Sequence, residues 1–175
     1  MKQYDIIYEH AADNYGLITS SEAKTLGIPN VELAKLAFRG RLQRLGHGVY
    51  KIKHYIPTSY DKYATALSFV GNGAAIYGES VLAMHGLALV NPNRIYVAVQ
   101  SRIRKKLPPY IQIVHPKCAL AITEYEGIPS QSVYDAIMAC RHTIMTDRLL
   151  EAVNEAERQG LITYEEARTA RSELL

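Results

Sequence analysis

The residues able to do chemistry are scattered along this chain rather than gathered. The six histidines, His10, His47, His54, His85, His115 and His142, fall at no metal-ligand spacing, and no HExxH pair, Walker loop or G-x-S-x-G elbow is present. A metal-dependent nuclease would have to draw on Asp61, Glu79, Glu124 and Glu126, because holding Mg²⁺ beside a phosphate needs clustered carboxylates. Glu124 and Glu126 are expected in one strand, pointing to the same exposed face. His85 lies among apolar neighbours and reads as a satisfied core or helix-end histidine, not a ligand. Cys118 and Cys140 are too far apart for a zinc pair and read as two buried free thiols. These residues lead us to expect no catalytic group, no metal and no cofactor, hence a chain that is not an enzyme. A metal-dependent nuclease stays as an alternative.

Phosphate recognition is the chemistry the charges favour. The net charge is only +3, but its distribution is uneven: residues 1–55 carry +3, residues 56–119 carry +5 and residues 120–175 carry −5. Between positions 30 and 55, Lys35, Arg39, Arg41, Arg44, Lys51 and Lys53 face Glu32 as the single acid. A second cluster, Arg102, Arg104, Lys105 and Lys106, is either a solvated loop or an auxiliary phosphate or partner contact. A basic front and an acidic end suggest nucleic acid at one end and a different role at the other.

The elements that must carry the first group of cations lie in Gly16–Lys53, the organising stretch of the chain. Thr19 and Glu22 have T-x-x-E capping-box spacing for a helix over 20–26, which Gly27 would end. Asn30 is the expected N-cap of a second helix over 31–39. At 100° per residue Leu33, Leu36 and Ala37 fall together, with Ala34, Phe38 and Val31 continuing the apolar arc, while Glu32, Lys35 and Arg39 lie opposite. Arg41–Leu45 and Val49–Lys53 flank Gly46-His47-Gly48 as a hairpin. Helix, turn, helix, hairpin is the order of a winged helix-turn-helix. Helical hairpins with a β-ribbon also serve as protein-contact modules. The cations on the proposed reading helix and wing favour DNA: Asn30, Lys35, Arg39, Arg41, Arg44, His47, Lys51 and Lys53 are the expected contacts.

A first helix over 2–14, with Tyr4, Ile7, Tyr8 and Ala11 inward, would cover this hairpin. After Pro57 a helix over 60–70 is expected, capped by Ser59, and the Gly71-Asn72-Gly73 turn follows. Beyond it come strands near 74–77, 95–99, 111–114 and 120–125, with a helix over 79–85 after the first. Pro129-Ser130 would open a helix over 131–140, Thr146 would cap one over 147–159, and Thr163 with Glu166 would box the last. The expected fold class is α+β: a winged helix at 1–54, then a small α/β domain at 55–175 with a short central sheet and covering helices. No apolar run approaches the roughly 20 residues of a membrane span, and the N-terminus lacks a signal peptide's apolar core. A cytoplasmic protein is expected.

The wing residues Gly40-Arg41-Leu42 and Leu45-Gly46-His47-Gly48-Val49-Tyr50, followed by Ser80 and Met84-His85-Gly86-Leu87, resemble the AbiEi-type abortive-infection antitoxins and related bacterial regulators. Gly127-Ile128-Pro129-Ser130, Asp135, Asp147-Arg148-Leu149 and Gly160-Leu161-Ile162 continue that order, although Ser130–Tyr134 departs from the family's commoner Pro-x-Arg-Thr-Leu run. The resemblance implies a winged helix that binds inverted repeats in its own promoter. It also implies a C-terminal domain that counteracts a nucleotidyltransferase-like toxin, without requiring a stable complex between the two. The expected function is therefore a type IV antitoxin that represses its own operon. The alternative is a stand-alone transcriptional regulator whose C-terminal domain senses a ligand or dimerises.

Overall fold

The computed structural model describes residues 3–175, which divide into two compact units, one ending at Asn72 and the other spanning Gly73–Leu175. The expected helix start at Lys2 lies outside the described residues.

The first unit contains α1 (Gln3–Ala12), β1 (Leu17–Thr19), α2 (Ser20–Thr25), α3 (Asn30–Phe38), β2 (Leu42–Gly46), β3 (Val49–Ile52) and α4 (Asp61–Val70). The Thr19–Glu22 capping box forms as the spacing predicts, with the Thr19 hydroxyl accepting from the Glu22 N–H and the Glu22 carboxylate accepting from the Thr19 N–H. Thr19 does a second job that the spacing did not reveal: it ends β1, which pairs antiparallel with β3 and makes a sheet of order β1-β3-β2. Strand register decides which side chains share a face. Ile18 opposes Tyr50 and Leu42 opposes Ile52, and these four join Ile7, Ala11, Leu33 and Leu36 in one buried cluster beneath the helices. On α1, Ile7 and Ala11 are fully buried as expected, whereas Tyr8 is about half exposed.

The opposite sheet face carries Leu17 and Val49, which are also buried. Helix α4 packs on β1, and Phe69 lies so close to the wing that a Cβ on Gly46 would stand 2.5 Å from its ring. A glycine is therefore required there for close approach. This covering explains why the unit boundary falls after Asn72 rather than at 54/55: a three-stranded sheet with two apolar faces needs both covered.

Three expected caps are replaced. Pro29, not Asn30, occupies the N-cap of α3, so Asn30 is its first helical residue. Tyr60, not Ser59, precedes α4, and the Asp61 carboxylate instead accepts from the Thr58 N–H and hydroxyl at 2.9 and 2.8 Å. Thr146 begins its helix after Met145 and makes no side-chain cap bond.

The second unit contains β4 (Ala75–Ile76), α5 (Glu79–Met84), β5 (Ile95–Ala98), β6 (Ile111–Val114), β7 (Ile122–Tyr125), β8 (Ile128–Gln131), α6 (Val133–Ala139), α7 (Thr146–Arg158) and α8 (Tyr164–Leu174). Its mixed sheet has the order β6-β5-β4-β8-β7. Residues 128–131, partly assigned to a helix by the proline signal, form β8 between β4 and β7, and the helix starts only after the Ser132 cap. Two buried polar side chains tie the sheet to α5. The Gln131 amide oxygen accepts from the Gly78 N–H at 3.0 Å, and the Ser80 hydroxyl accepts from the Tyr96 N–H at 2.9 Å. Helices α6, α7 and α8 pack on one another, and α8 carries the expected Thr163–Glu166 box. Cys140 is buried, but Cys118 is exposed because it sits in the coil after β6. The fold is α+β, with a three-stranded and a five-stranded sheet.

Candidate nucleic-acid interface

Helix α3 fastens to the first unit through Leu33 and Leu36, which are 0 % and 7 % exposed. Burying each stabilises the unit by about 1.5–3 kcal/mol. That attachment turns the opposite side to solvent. Lys35 and Arg39 are both exposed there, and the Lys35 ammonium sits 2.7 Å from the Glu32 carboxylate one turn earlier. Asn30 is exposed at the helix start.

The solvent side of α3 is only half cationic. Val31 and Phe38, which the helical wheel joined to the apolar arc, are 62 % and 94 % exposed, and Ala34 is exposed between them. The arc was real, but the core takes only its Leu33–Leu36–Ala37 sector. The signal available in the sequence was the width of the arc: a nine-residue helix in a small unit cannot bury apolar residues over so much of its circumference.

The wing follows directly. Strands β2 and β3 are antiparallel, and because Gly46 pairs with Val49 the loop is His47-Gly48, one residue shorter than expected. The register shifts between Arg44 and Gly46, a bulge that re-aims the ribbon near its tip. Arg44 Nε donates to the Gly46 carbonyl at 3.2 Å, which holds the guanidinium along the wing. His47 is exposed at the tip and Lys53 at the far end. The Arg41 guanidinium lies 4.8 Å over the Tyr4 ring, so α1 positions it through a cation–π contact.

Lys51 behaves differently from its neighbours. Its partner across the ribbon is Gln43, on the face covered by α4, and its ammonium pairs with the Asp61 carboxylate, both side chains being largely buried. The Tyr55 ring lies 5.0 Å from the same ammonium. Burial pushes the Asp61 carboxyl up. The hydrogen bonds from Lys51 and Thr58 and the Lys51 charge outweigh it, holding the group below the usual carboxylate range. Lys51 is therefore a structural cation that ties the wing to α4, and it leaves the expected phosphate set. Sequence reasoning missed this because Asp61 sits ten residues away with no helical or strand periodicity linking the two.

Among the described residues, no carboxylate pairs with Arg39, Arg44 or Lys53. Arg102, Arg104, Lys105 and Lys106 are all exposed on the coil joining the parallel strands β5 and β6. Among the described residues the carboxylates considered for a metal form no cluster, and the strand expected to hold both Glu124 and Glu126 ends at Tyr125. Asp61 is committed to Lys51 and Thr58, Glu124 lies on β7, and Glu126 falls in the turn after it with φ 52°. His85 ends α5 with its ring 4.1 Å from the Tyr125 ring, and burial lowers its pKa. Contrary to expectation it is not satisfied, since its buried Nδ1 has no hydrogen-bond partner. A cleft of about 300 Å³ in the second unit is lined by residues such as Ala75, Val99, Leu120 and Ile122, with no ionisable side chain on its walls.

No curated protein matches this chain. In structure it is similar to the crystal structure of the RV2827C protein from Mycobacterium tuberculosis, with a TM-score of 0.53 and 17 % identity, over 99 % of this chain and 76 % of that one. At that identity the likeness speaks for the fold. The helices and ribbon described above coincide with a sequence match: residues 5–52 match the family model described as a transcriptional regulator, AbiEi antitoxin, and so support a DNA-binding regulatory role.

Proposed function

We infer that this protein is a sequence-specific DNA-binding antitoxin that represses its own operon through the first unit and counteracts a nucleotidyltransferase-like toxin through the second. One observation carries the reading: α3 presents Lys35 and Arg39 to solvent beside a ribbon whose Arg44, His47 and Lys53 are also exposed. A helix that enters the major groove and a cationic wing that follows the backbone need this combination. Lys35 and Arg39 take the groove. Asn30 lies at the helix start, where a polar side chain meets a base edge or phosphate. Arg41, Arg44, His47 and Lys53 take phosphates or the minor groove, and Arg102, Arg104, Lys105 and Lys106 supply an auxiliary patch for phosphate or a partner.

The test is a gel shift with the DNA upstream of the protein's own gene. Lys35→Ala with Arg39→Ala is expected to weaken specific binding at least about tenfold, since each base-reading side chain is worth about 1–3 kcal/mol, while circular dichroism shows an intact fold. Unchanged binding removes α3 from the interface. Co-expression with the adjacent toxin gene tests the second half: rescue of growth must need the second unit. The family match ends at residue 52. This leaves a regulator whose second unit answers to a ligand as the competing reading, and absence of an adjacent toxin gene favours it.

A further inference from the structure

We propose that α3 reads thymine methyl groups in the major groove through an exposed apolar strip formed by Val31, Ala34 and Phe38. The inference rests on the DNA-binding reading above and adds the base chemistry that the helix selects. The wing cations Arg41, Arg44 and Lys53 account for affinity to any duplex, because phosphates are the same in every sequence, and Lys35 and Arg39 read the hydrogen-bonding edges of bases. They leave unexplained why a small helix holds Phe38 94 % exposed and Val31 62 % exposed on the side facing away from its own core.

Helical geometry makes the strip continuous. At 100° per residue, Ala34, Phe38 and Val31 span about 60° of the circumference, and Lys35 and Arg39 occupy roughly the next 80°. From Val31 to Phe38 the strip runs about 10 Å along the axis, or roughly three base steps at 3.4 Å each. The surface that fits is therefore apolar in narrow patches and anionic around them. A major groove containing A·T pairs is such a surface: the thymine C5 methyl is its one apolar group, and it is recognised by alanine and phenylalanine side chains. A second copy of this chain fits less well. A two-fold contact through the strip would bring Lys35 and Arg39 of each copy toward the same pair on the other, with like charges opposed.

The experiment begins by selecting bound duplexes from a random-sequence pool with the full-length protein. The best duplex is then synthesised with thymine and with deoxyuridine, which removes the methyl and keeps the base pairing. Wild-type protein is expected to lose about fourfold in affinity for each methyl it touches, the worth of one buried carbon. Val31→Ala with Phe38→Ala should bind the thymine duplex as weakly as wild type binds the deoxyuridine one, and should not distinguish the two duplexes, as residues coupled to those methyls must. Both positions are exposed, so the variant keeps its fold. Equal wild-type affinity for the two duplexes overturns the thymine proposal and leaves DNA binding standing. Failure to select any duplex overturns both. A dimer that Phe38→Ser dissolves, with DNA affinity and methyl sensitivity unchanged, assigns the strip to a second copy and also overturns the proposal.

Discussion

The α3–wing face and the α7–α8 hairpin both carry several arginines, and they use them in opposite ways. On α7 and α8 each of three arginines has a carboxylate at hand: Arg158 with Glu155, Arg168 with Glu165, and Arg171 with Glu157. Arg171 also donates to the Asn154 side chain, so the two helices are stitched together. On α3 and the wing, Lys35 pairs with Glu32 and Lys51 with Asp61 beside α4, but Arg39, Arg44 and Lys53 have no such partner among the described residues. The number of cations does not separate the two units, since the second carries more basic residues than the first. The carboxylates set beside those cations do. Matched charges add local structure, whereas unmatched cations on one face keep their field available to an anionic partner.

The largest effect that would break this comparison is on salt-dependent binding. Replacing Arg39, Arg44 and Lys53 with alanine should flatten the slope of log affinity against log salt by roughly 0.9 for each phosphate no longer neutralised. Replacing Arg158, Arg168 and Arg171 should leave the slope alone. Equal changes in the two triple variants, measured by fluorescence anisotropy from about 50 to 200 mM salt, would erase the distinction.

A second test concerns the one wing cation that is paired. Asp61→Asn is expected to cost about 1.5–3 kcal/mol near neutral pH, the range for a hydrogen bond to a charged group, read from urea unfolding by circular dichroism. The pH dependence has a definite sign. The Asp61 pKa is lowered from its ordinary 3.8, so its contribution is present above that value and is lost as pH falls through the lower folded one. His85 in the second unit is lowered from 6.5 by burial. The unfolded chain then binds its proton more readily, and stability falls as pH drops below about 6.5 toward the folded value. Acid should thus weaken the second unit first. Asp61→Asn should flatten the dependence below about pH 4, and His85→Leu the dependence just below about 6.5.

Thiol reactivity offers a finer contrast within the second unit. Burial, aided by Glu79, pushes the Cys140 thiol up to about 12, against a hydrogen bond from Thr143 that lowers it. Maleimide at about pH 7 should therefore add to exposed Cys118 and spare Cys140 until urea unfolds the chain, as counted by mass spectrometry. The smallest effect is expected at Arg158→Ala, which should cost under about 1 kcal/mol because its ion pair with Glu155 is solvent-exposed.

Much of the local structure was legible because its signals are short-range. Thr19–Glu22 and Thr163–Glu166 are three residues apart, and a capping box needs nothing beyond its own turn. The α3–hairpin order and the Leu33–Leu36 anchor likewise follow from short-range periodicity. Strand β1 was hidden because three residues are too few to show alternation, and only pairing with β3 makes Leu17–Thr19 a strand. Strand β8 was hidden because Pro129 reads as a helix opener until β7 and β4 flank it.

By itself the sequence determined the two capping boxes, which turns carry glycine, and that cations crowd the 30–55 stretch. Tertiary structure decided which of those cations remain available, by setting Asp61 against Lys51, and which apolar residues of α3 are core, by docking Leu33 and Leu36 while leaving Val31 and Phe38 in water. The physical reason is the same in both cases. A helix or strand fixes the angles between its own side chains, but the direction of the core is a property of everything packed around it.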